Sequence, residues 1–325
     1  VEVSFADAAL TARVQSGIAR VEQLLADSVQ SPVPFVAEAA THLMCAGGKR
    51  FRPLLTVLCA EFGDPSTADV VPAAVVIELT HLATLYHDDV MDEAVMRRGA
   101  PSANARWDNS VAILVGDFLF AQASELVADL GPEAVRIQAR TFSRLVTGQI
   151  REMLGPEDGD ELGHYLSVVA DKTGSLIASA ALFGAKMAGA DQRVQDTVLE
   201  FGERIGVAFQ LADDIIDVTS GAEDSGKTPG TDLREGVPTL PTLIARRSDD
   251  PADAELREVL SGPIDDDAVV ARTLEILRSH RATEEARAYV RSEADASRAL
   301  LSDLPPGPAR DALATLCDTV VTRLG

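Results

Sequence analysis

The chain has 325 residues, 46% of them hydrophobic, and carries a formal net charge of −22 with only three cysteines. That length and apolar content support a large buried core, while the charge excludes a broad nucleic-acid surface, because phosphate backbones are held by clustered Lys and Arg. Cys45, Cys59 and Cys317 lack metal-type spacing and are odd in number, which fits buried thiols in a reducing compartment.

Aromatic residues make up only 4% of the chain while Ala, Leu and Val are abundant, so the expected fold class is all-α. Val1 to Leu10 shows no basic flank followed by an apolar run, and no secretory signal is expected. Breaker clusters then recur at Ser31 to Pro34, Gly63 to Pro65, Gly99 to Pro101, Gly155 to Gly159, Ser248 to Pro251, Gly262-Pro263 and Leu304 to Pro308. Between them apolar residues keep helical spacing: Val75, Leu79, Leu82, Leu85 and Tyr86 form one stripe, and Leu162, Leu166, Val169, Thr173, Leu176 and Ile177 another. The longest apolar region, Val70 to Tyr86, is interrupted by Pro72, Glu78 and His81, which argues against a membrane span. The expected location is the cytoplasm. No composition shift or long linker divides the chain, so residues 1–325 are expected to be a single domain. Ser220 to Pro238, rich in Gly, Ser, Thr, Pro and charge, reads as a lid loop.

Three features carry chemistry. Gly47-Gly48-Lys49-Arg50-Phe51-Arg52-Pro53 lets backbone approach a ligand while Lys49 and Arg52 offer a point charge and a fork to phosphate oxygens. It is not a Walker-type P-loop, whose glycines stand farther apart, and a plain solvent-facing turn is the competing reading. His87-Asp88-Asp89-Val90-Met91-Asp92 and Ala212-Asp213-Asp214-Ile215-Ile216-Asp217 each end an apolar helical run in Asp-Asp-x-x-Asp. Positions four apart share a helix side, so Asp88 and Asp92 project together, as do Asp213 and Asp217. Such paired carboxylates suit Mg²⁺, which binds through one or two of them, water and substrate phosphates. A diphosphate could bridge the two clusters; two acidic surface helix ends are the alternative. Neither cluster has the spacing of a calcium-binding loop. Arg97-Arg98-Gly99 follows the first cluster closely enough to balance carboxylate, metal and phosphate charge, a surface salt bridge being the competing reading. His81 lies two turns before Asp88 and is either a core histidine or a polar ligand group.

These segments, with Gly116-Asp117, Gly148-Gln149, Lys172-Thr173-Gly174 and Phe209-Gln210, resemble the trans-isoprenyl diphosphate synthase family, the polyprenyl synthetases, along nearly the whole chain. The resemblance implies a single-domain, all-α isoprenoid-synthase helical bundle around a deep central cavity, usually a homodimer. It implies that Asp88, Asp89, Asp92, Asp213, Asp214 and Asp217 form the metal-diphosphate site, with several Mg²⁺ ions held by Asp88, Asp92, Asp213 and Asp217. Lys49, Arg52, His81 and Arg98 would bind isopentenyl diphosphate, and Arg97, Lys172, Thr173, Gln210 and Lys227 the allylic diphosphate. Lys172, Thr173 and Gln210 join the aspartates in the catalytic set, Thr173 and Gln210 as dipoles facing the allylic cation. One departure is Val237 after Arg234-Glu235-Gly236, where many relatives carry Lys.

The implied reaction ionises an allylic diphosphate, adds the isopentenyl double bond and loses a proton, with no protein nucleophile. Relatives that stop early place bulky aromatics four and five residues before the first aspartate, whereas this chain has Thr84 and Ala83. A long all-trans product, such as a quinone side-chain precursor, is therefore expected, with geranylgeranyl or farnesyl diphosphate as the alternative. Such a product would bring transient membrane contact at release. A class I terpene cyclase is less consistent with the second Asp-Asp-x-x-Asp and with a separate basic site. A regulatory subunit of a heteromeric synthase is less consistent with two intact aspartate sets.

Overall fold

The first helix, α1 (Ala8–Ser28), starts where the Asp7 carboxylate accepts the Leu10 N–H at 2.6 Å, satisfying one of the amides that a helix start leaves open. The structure, a computed structural model, describes residues 4–157, 159–219 and 230–324. The breaker clusters fall at helix ends, except Gly99 to Pro101, which lies in a β-hairpin. Pro34 opens α2 (Pro34–Cys45), and Gly63 to Pro65 separates α3 (Phe51–Ala60) from α4 (Val70–Met91). Among the described residues the only strands are β1 (Met96–Arg97) and β2 (Ala100–Pro101), paired antiparallel around Arg98-Gly99. The fold is all-α.

Contacts divide the chain into two compact units. The first comprises Val1–Ser143, Leu176–Gly202 and Leu301–Leu313; the second comprises Arg144–Ser175, Glu203–Leu300 and Ala314–Gly325. Four of the five boundaries fall inside helices, among them α7 (Pro132–Leu154), α10 (Gln192–Thr219) and the terminal Pro308–Thr322, which is why no linker or composition shift marks them.

In the first unit α4 packs against α1, α3 and α6 (Asn109–Asp129), which follows the short α5 (Ala103–Arg106), and α4 is buried on most sides, so its sequence is apolar all round rather than striped. Tyr86 is fully buried there and its hydroxyl donates to the Ala39 carbonyl at 2.5 Å, fixing α2 against α4. A Cβ on Gly184 would stand 2.0 Å from the Thr56 carbonyl oxygen, so α3 sits directly on α9 (Ser175–Met187) only because that position has no side chain. Val70–Met91, Asn109–Asp129 and Glu161–Met187 are long and apolar enough to cross a membrane by length and composition. For Val70–Met91 the interruptions read from sequence do not prevent this; burial within the first unit accounts for its composition. On α6, Ile113 and Leu114 are 44% and 66% exposed.

The stripe from Leu162 to Ile177 is not one regular helix. α8 (Glu161–Val169) runs into a π-helical turn, Ala170–Gly174, before α9 begins. The turn places Lys172-Thr173-Gly174 in the wider geometry that often marks functional positions. Further along, Val218, Leu233, Ala245, Leu256, Leu274 and Leu277 close a hydrophobic core.

Candidate functional site

Within the first unit the basic segment and the first aspartate cluster are built from α3, α4 and the β-hairpin. Gly47 and Gly48 have φ of 104° and 151°, and Arg50 follows in the left-handed region at 46°. This kink turns the Arg50 side chain inward. Its Nε donates to Glu22 at 2.6 Å, Nη1 to Glu78 at 3.0 Å and Nη2 to the Met44 carbonyl at 3.1 Å. Burial pulls its pKa down, but the carboxylates of Glu22 and Glu78 outweigh that and raise it. Lys49, beside it, is exposed.

Arg98, in the left-handed region at φ 54°, donates from Nη1 to the carbonyls of Leu43 (3.1 Å) and Gly47 (2.5 Å), with Nη2 3.5 Å from His81 Nε2. Since a guanidinium only donates, Nε2 is the lone-pair nitrogen of His81. Burial first, then the charges of Arg52, Arg98, Arg50 and Arg97, hold His81 well below its usual range, so it is neutral near pH 7. Arg52 is pushed down to about 10, by burial against the opposing field of Glu78, and its Nε is buried with no hydrogen-bond partner among the described residues. Arg52, His81 and Arg98 are therefore brought to one electropositive locality, with Lys49 exposed on the loop that leads into it. Arg50 and Glu78 belong to it too and were missed, Glu78 because it reads as a break in an apolar run.

The first aspartates separate by environment. Asp89 is fully buried; Arg97 Nε donates to its Oδ1 at 2.6 Å, while Oδ2 is buried without a hydrogen-bond partner among the described residues. Burial raises its pKa, opposed by Arg97. Asp88 is half-buried, and Asp92, the residue after α4, is exposed with Arg97 Nη2 3.8 Å from it. Arg97 thus sits on the aspartates. Ala83 and Thr84 are both buried.

The second unit carries the other cluster on α10. Asp214 is buried; Tyr165 donates its hydroxyl to Oδ2, and Gln210 Nε2 donates to Oδ1 at 3.0 Å. Because the Gln210 amide nitrogen faces Asp214, its Oε1 accepts from the Thr173 hydroxyl at 3.2 Å. Burial raises Asp214 to about 6, the bonds from Tyr165 and Gln210 opposing and Asp213 and Asp217 adding to the rise. Asp213 is paired with Arg323, whose guanidinium also lies 4.8 Å above the Phe209 ring. Lys172 donates to Glu152 at 2.7 Å. Thr173, Gln210 and Asp214 are thus directly connected. Tyr165 and Arg323 were missed; they stand far from the motif in sequence and only tertiary packing recruits them. Lys227, and the lid loop as far as residue 229, lie outside the described residues. At Val237 the backbone N–H donates to the Asp232 carbonyl at 2.9 Å and the side chain is partly exposed.

Among the described residues no three His, Cys, Asp or Glu side chains group to hold a metal by themselves. The carboxylates fit a hard divalent ion that completes its shell with water and phosphate oxygens.

Residues 33–277 match the polyprenyl synthetase family. The chain is 52% identical over 325 residues to the nonaprenyl diphosphate synthase of Mycobacterium tuberculosis, covering 99% of this chain and 97% of the relative. It is 33% identical over 317 residues to the octaprenyl diphosphate synthase of Escherichia coli, covering 97% of each. Among solved structures, the geranylgeranyl pyrophosphate synthase of Corynebacterium glutamicum, complexed with calcium and isoprenyl diphosphate, superposes with a TM-score of 0.89 at 49% identity, covering 99% of this chain and 100% of that one.

Proposed function

The chain belongs to the polyprenyl synthetase family, and on that premise we propose that it is a Mg²⁺-dependent prenyltransferase that adds isopentenyl diphosphate to an allylic diphosphate, making a long-chain all-trans polyprenyl diphosphate. The single observation that carries the two-substrate reading is the electropositive group of Arg52, Arg98 and neutral His81, able to receive a second diphosphate.

In this reading Lys49, Arg52, His81 and Arg98 hold isopentenyl diphosphate. A neutral His81 adds a polar contact without a further charge among the arginines. Lys172 and Arg97 bind the allylic diphosphate, with Lys227 completing that set. Mg²⁺ held by Asp88, Asp92, Asp213 and Asp217 with substrate phosphates would supply Lewis-acid stabilisation of the departing diphosphate. The Thr173–Gln210–Asp214 chain fixes the Gln210 amide, so its dipole is oriented before an allylic cation forms.

The names of the Mycobacterium tuberculosis and Escherichia coli relatives support a long product, as do the small side chains at Ala83 and Thr84, because each further buried CH₂ stabilises the growing chain by roughly 0.8 kcal/mol. A shorter, geranylgeranyl product is the second reading, favoured by the Corynebacterium glutamicum structure. We also propose that residues 1–325 act as one polyprenyl synthetase domain in the cytoplasm. The exposed Ile113 and Leu114 support a homodimer.

The test is to incubate purified protein and Mg²⁺ with an allylic diphosphate alone and then with isopentenyl diphosphate added. The proposal expects turnover only with both, abolished by a chelator. Hydrocarbon or alcohol from the allylic substrate alone would identify a cyclase. No turnover with both would identify a subunit that needs a partner.

A further inference from the structure

Three arginines of the first unit, Arg50, Arg52 and Arg98, interact through their charges, and one buried carboxylate answers them. Glu78, on α4, is 2% exposed and accepts from Arg50 Nη1 at 3.0 Å. Its charge favours the cationic forms of Arg50, Arg52 and Arg98, while Arg50 and Arg52 each disfavour the charge of a neighbour. Gly48 shows how tightly the group is packed: a Cβ there would lie 3.0 Å from Arg98 Nη1 and 3.2 Å from Arg50 Nη1. The guanidiniums of Arg50 and Arg98 therefore both crowd the Gly48 backbone. Like charges this close separate unless an opposite charge lies between or beneath them, and a low-dielectric surround strengthens both effects.

We propose that Glu78 is a positioning residue for the isopentenyl diphosphate site: its buried carboxylate anchors Arg50 and holds Arg52 and Arg98 together as a preformed diphosphate receptor, with Glu22 as the outer anchor of Arg50. The inference rests on the reading of Lys49, Arg52, His81 and Arg98 as that site. Arg50 Nη2 on the Met44 carbonyl, and Arg98 Nη1 on Leu43 and Gly47, tie the same network to the loop that carries Lys49. Loss of the carboxylate would free both the arginines and the loop.

By charge alone, removing a negative group beneath an anion site should tighten anion binding, the opposite sign. The sign of the change is therefore decisive. Calorimetric titration of the full chain with isopentenyl diphosphate alone gives Kd without turnover, and steady-state kinetics give the two KM values and kcat. Glu78→Gln is expected to raise Kd and KM for isopentenyl diphosphate at least tenfold, leaving kcat and the allylic KM within about threefold. Glu22→Gln, at the partly exposed end of the network, is expected to raise them two- to fivefold.

Arg52→Gln tests the underlying reading. If it leaves the Kd unchanged, the basic group is not the isopentenyl diphosphate site and that reading falls. If it weakens binding while Glu78→Gln leaves Kd unchanged or lower, the site stands and the positioning role of Glu78 is overturned. Parallel loss of both substrates together with a fall in Tm would likewise reduce Glu78 to a structural residue. Should Glu78→Gln fail to fold, Glu22→Gln decides: unchanged affinity overturns the proposal.

Discussion

Arg97 donates from Nε to Asp89 at 2.6 Å, joining the β-hairpin to a fully buried carboxylate at the end of α4. Breaking a fully buried pair costs about 3–5 kcal/mol, and the partial exposure of Arg97 reduces that to about 1–2 kcal/mol. Arg97→Gln should therefore lower the urea midpoint measurably with the m-value unchanged, and Arg97→Lys should recover part of the loss. An unchanged midpoint would show that the pair has no role in stability.

The environments of the three first-cluster aspartates differ enough to separate metal binding from structure. Asp88 is half-buried and Asp92 exposed, whereas Asp89 is already engaged by Arg97. Asp88→Asn and Asp92→Asn should each raise the Mg²⁺ concentration for half-maximal activity at least tenfold. Asp89→Asn should lower Tm and kcat with a much smaller change in Mg²⁺ requirement. Equal shifts in Mg²⁺ requirement for all three would place Asp89 among the ligands.

His81 gives a pH dependence. Burial and the surrounding Arg52, Arg98, Arg50 and Arg97 depress its folded-state pKa, so below about 6.5 the unfolded chain takes up a proton that the folded chain refuses. Its contribution to stability is complete above that pH and falls as the pH drops, by up to about 1.4 kcal/mol per pH unit until the folded-state value is reached. His81→Gln should flatten this part of the profile between pH 7.5 and 5. Parallel profiles for both proteins would mean that His81 titrates normally.

Ala83 and Thr84 precede Asp88 on the same helix and are buried. Ala83→Phe or Thr84→Phe should shorten the product while leaving the first condensation active, measured as the length distribution of dephosphorylated products. An unchanged distribution would move the length determinant elsewhere in the chain.

The all-α class, several helix boundaries and both Asp-Asp-x-x-Asp segments were legible in the sequence, because helical periodicity and breaker residues act locally. The left-handed turn at Arg50 was not, since a positive φ at an arginine is fixed by its partners, the partly exposed Glu22 and the buried Glu78, rather than by its neighbours in sequence. The π-helical turn at Ala170–Gly174 was invisible for a related reason: one widened turn scarcely alters an apolar stripe, yet it redirects Lys172 and Thr173. Arg323 and Tyr165 join the second cluster only through tertiary packing, and neither lies within reach of a linear motif.

Long-chain synthesis is tested by a Mg²⁺-dependent assay with labelled isopentenyl diphosphate and farnesyl diphosphate as primer, resolving the dephosphorylated products by length. All-trans products well beyond twenty carbons are expected. Products that stop at twenty carbons, with isopentenyl diphosphate still in excess, would contradict the long-chain assignment.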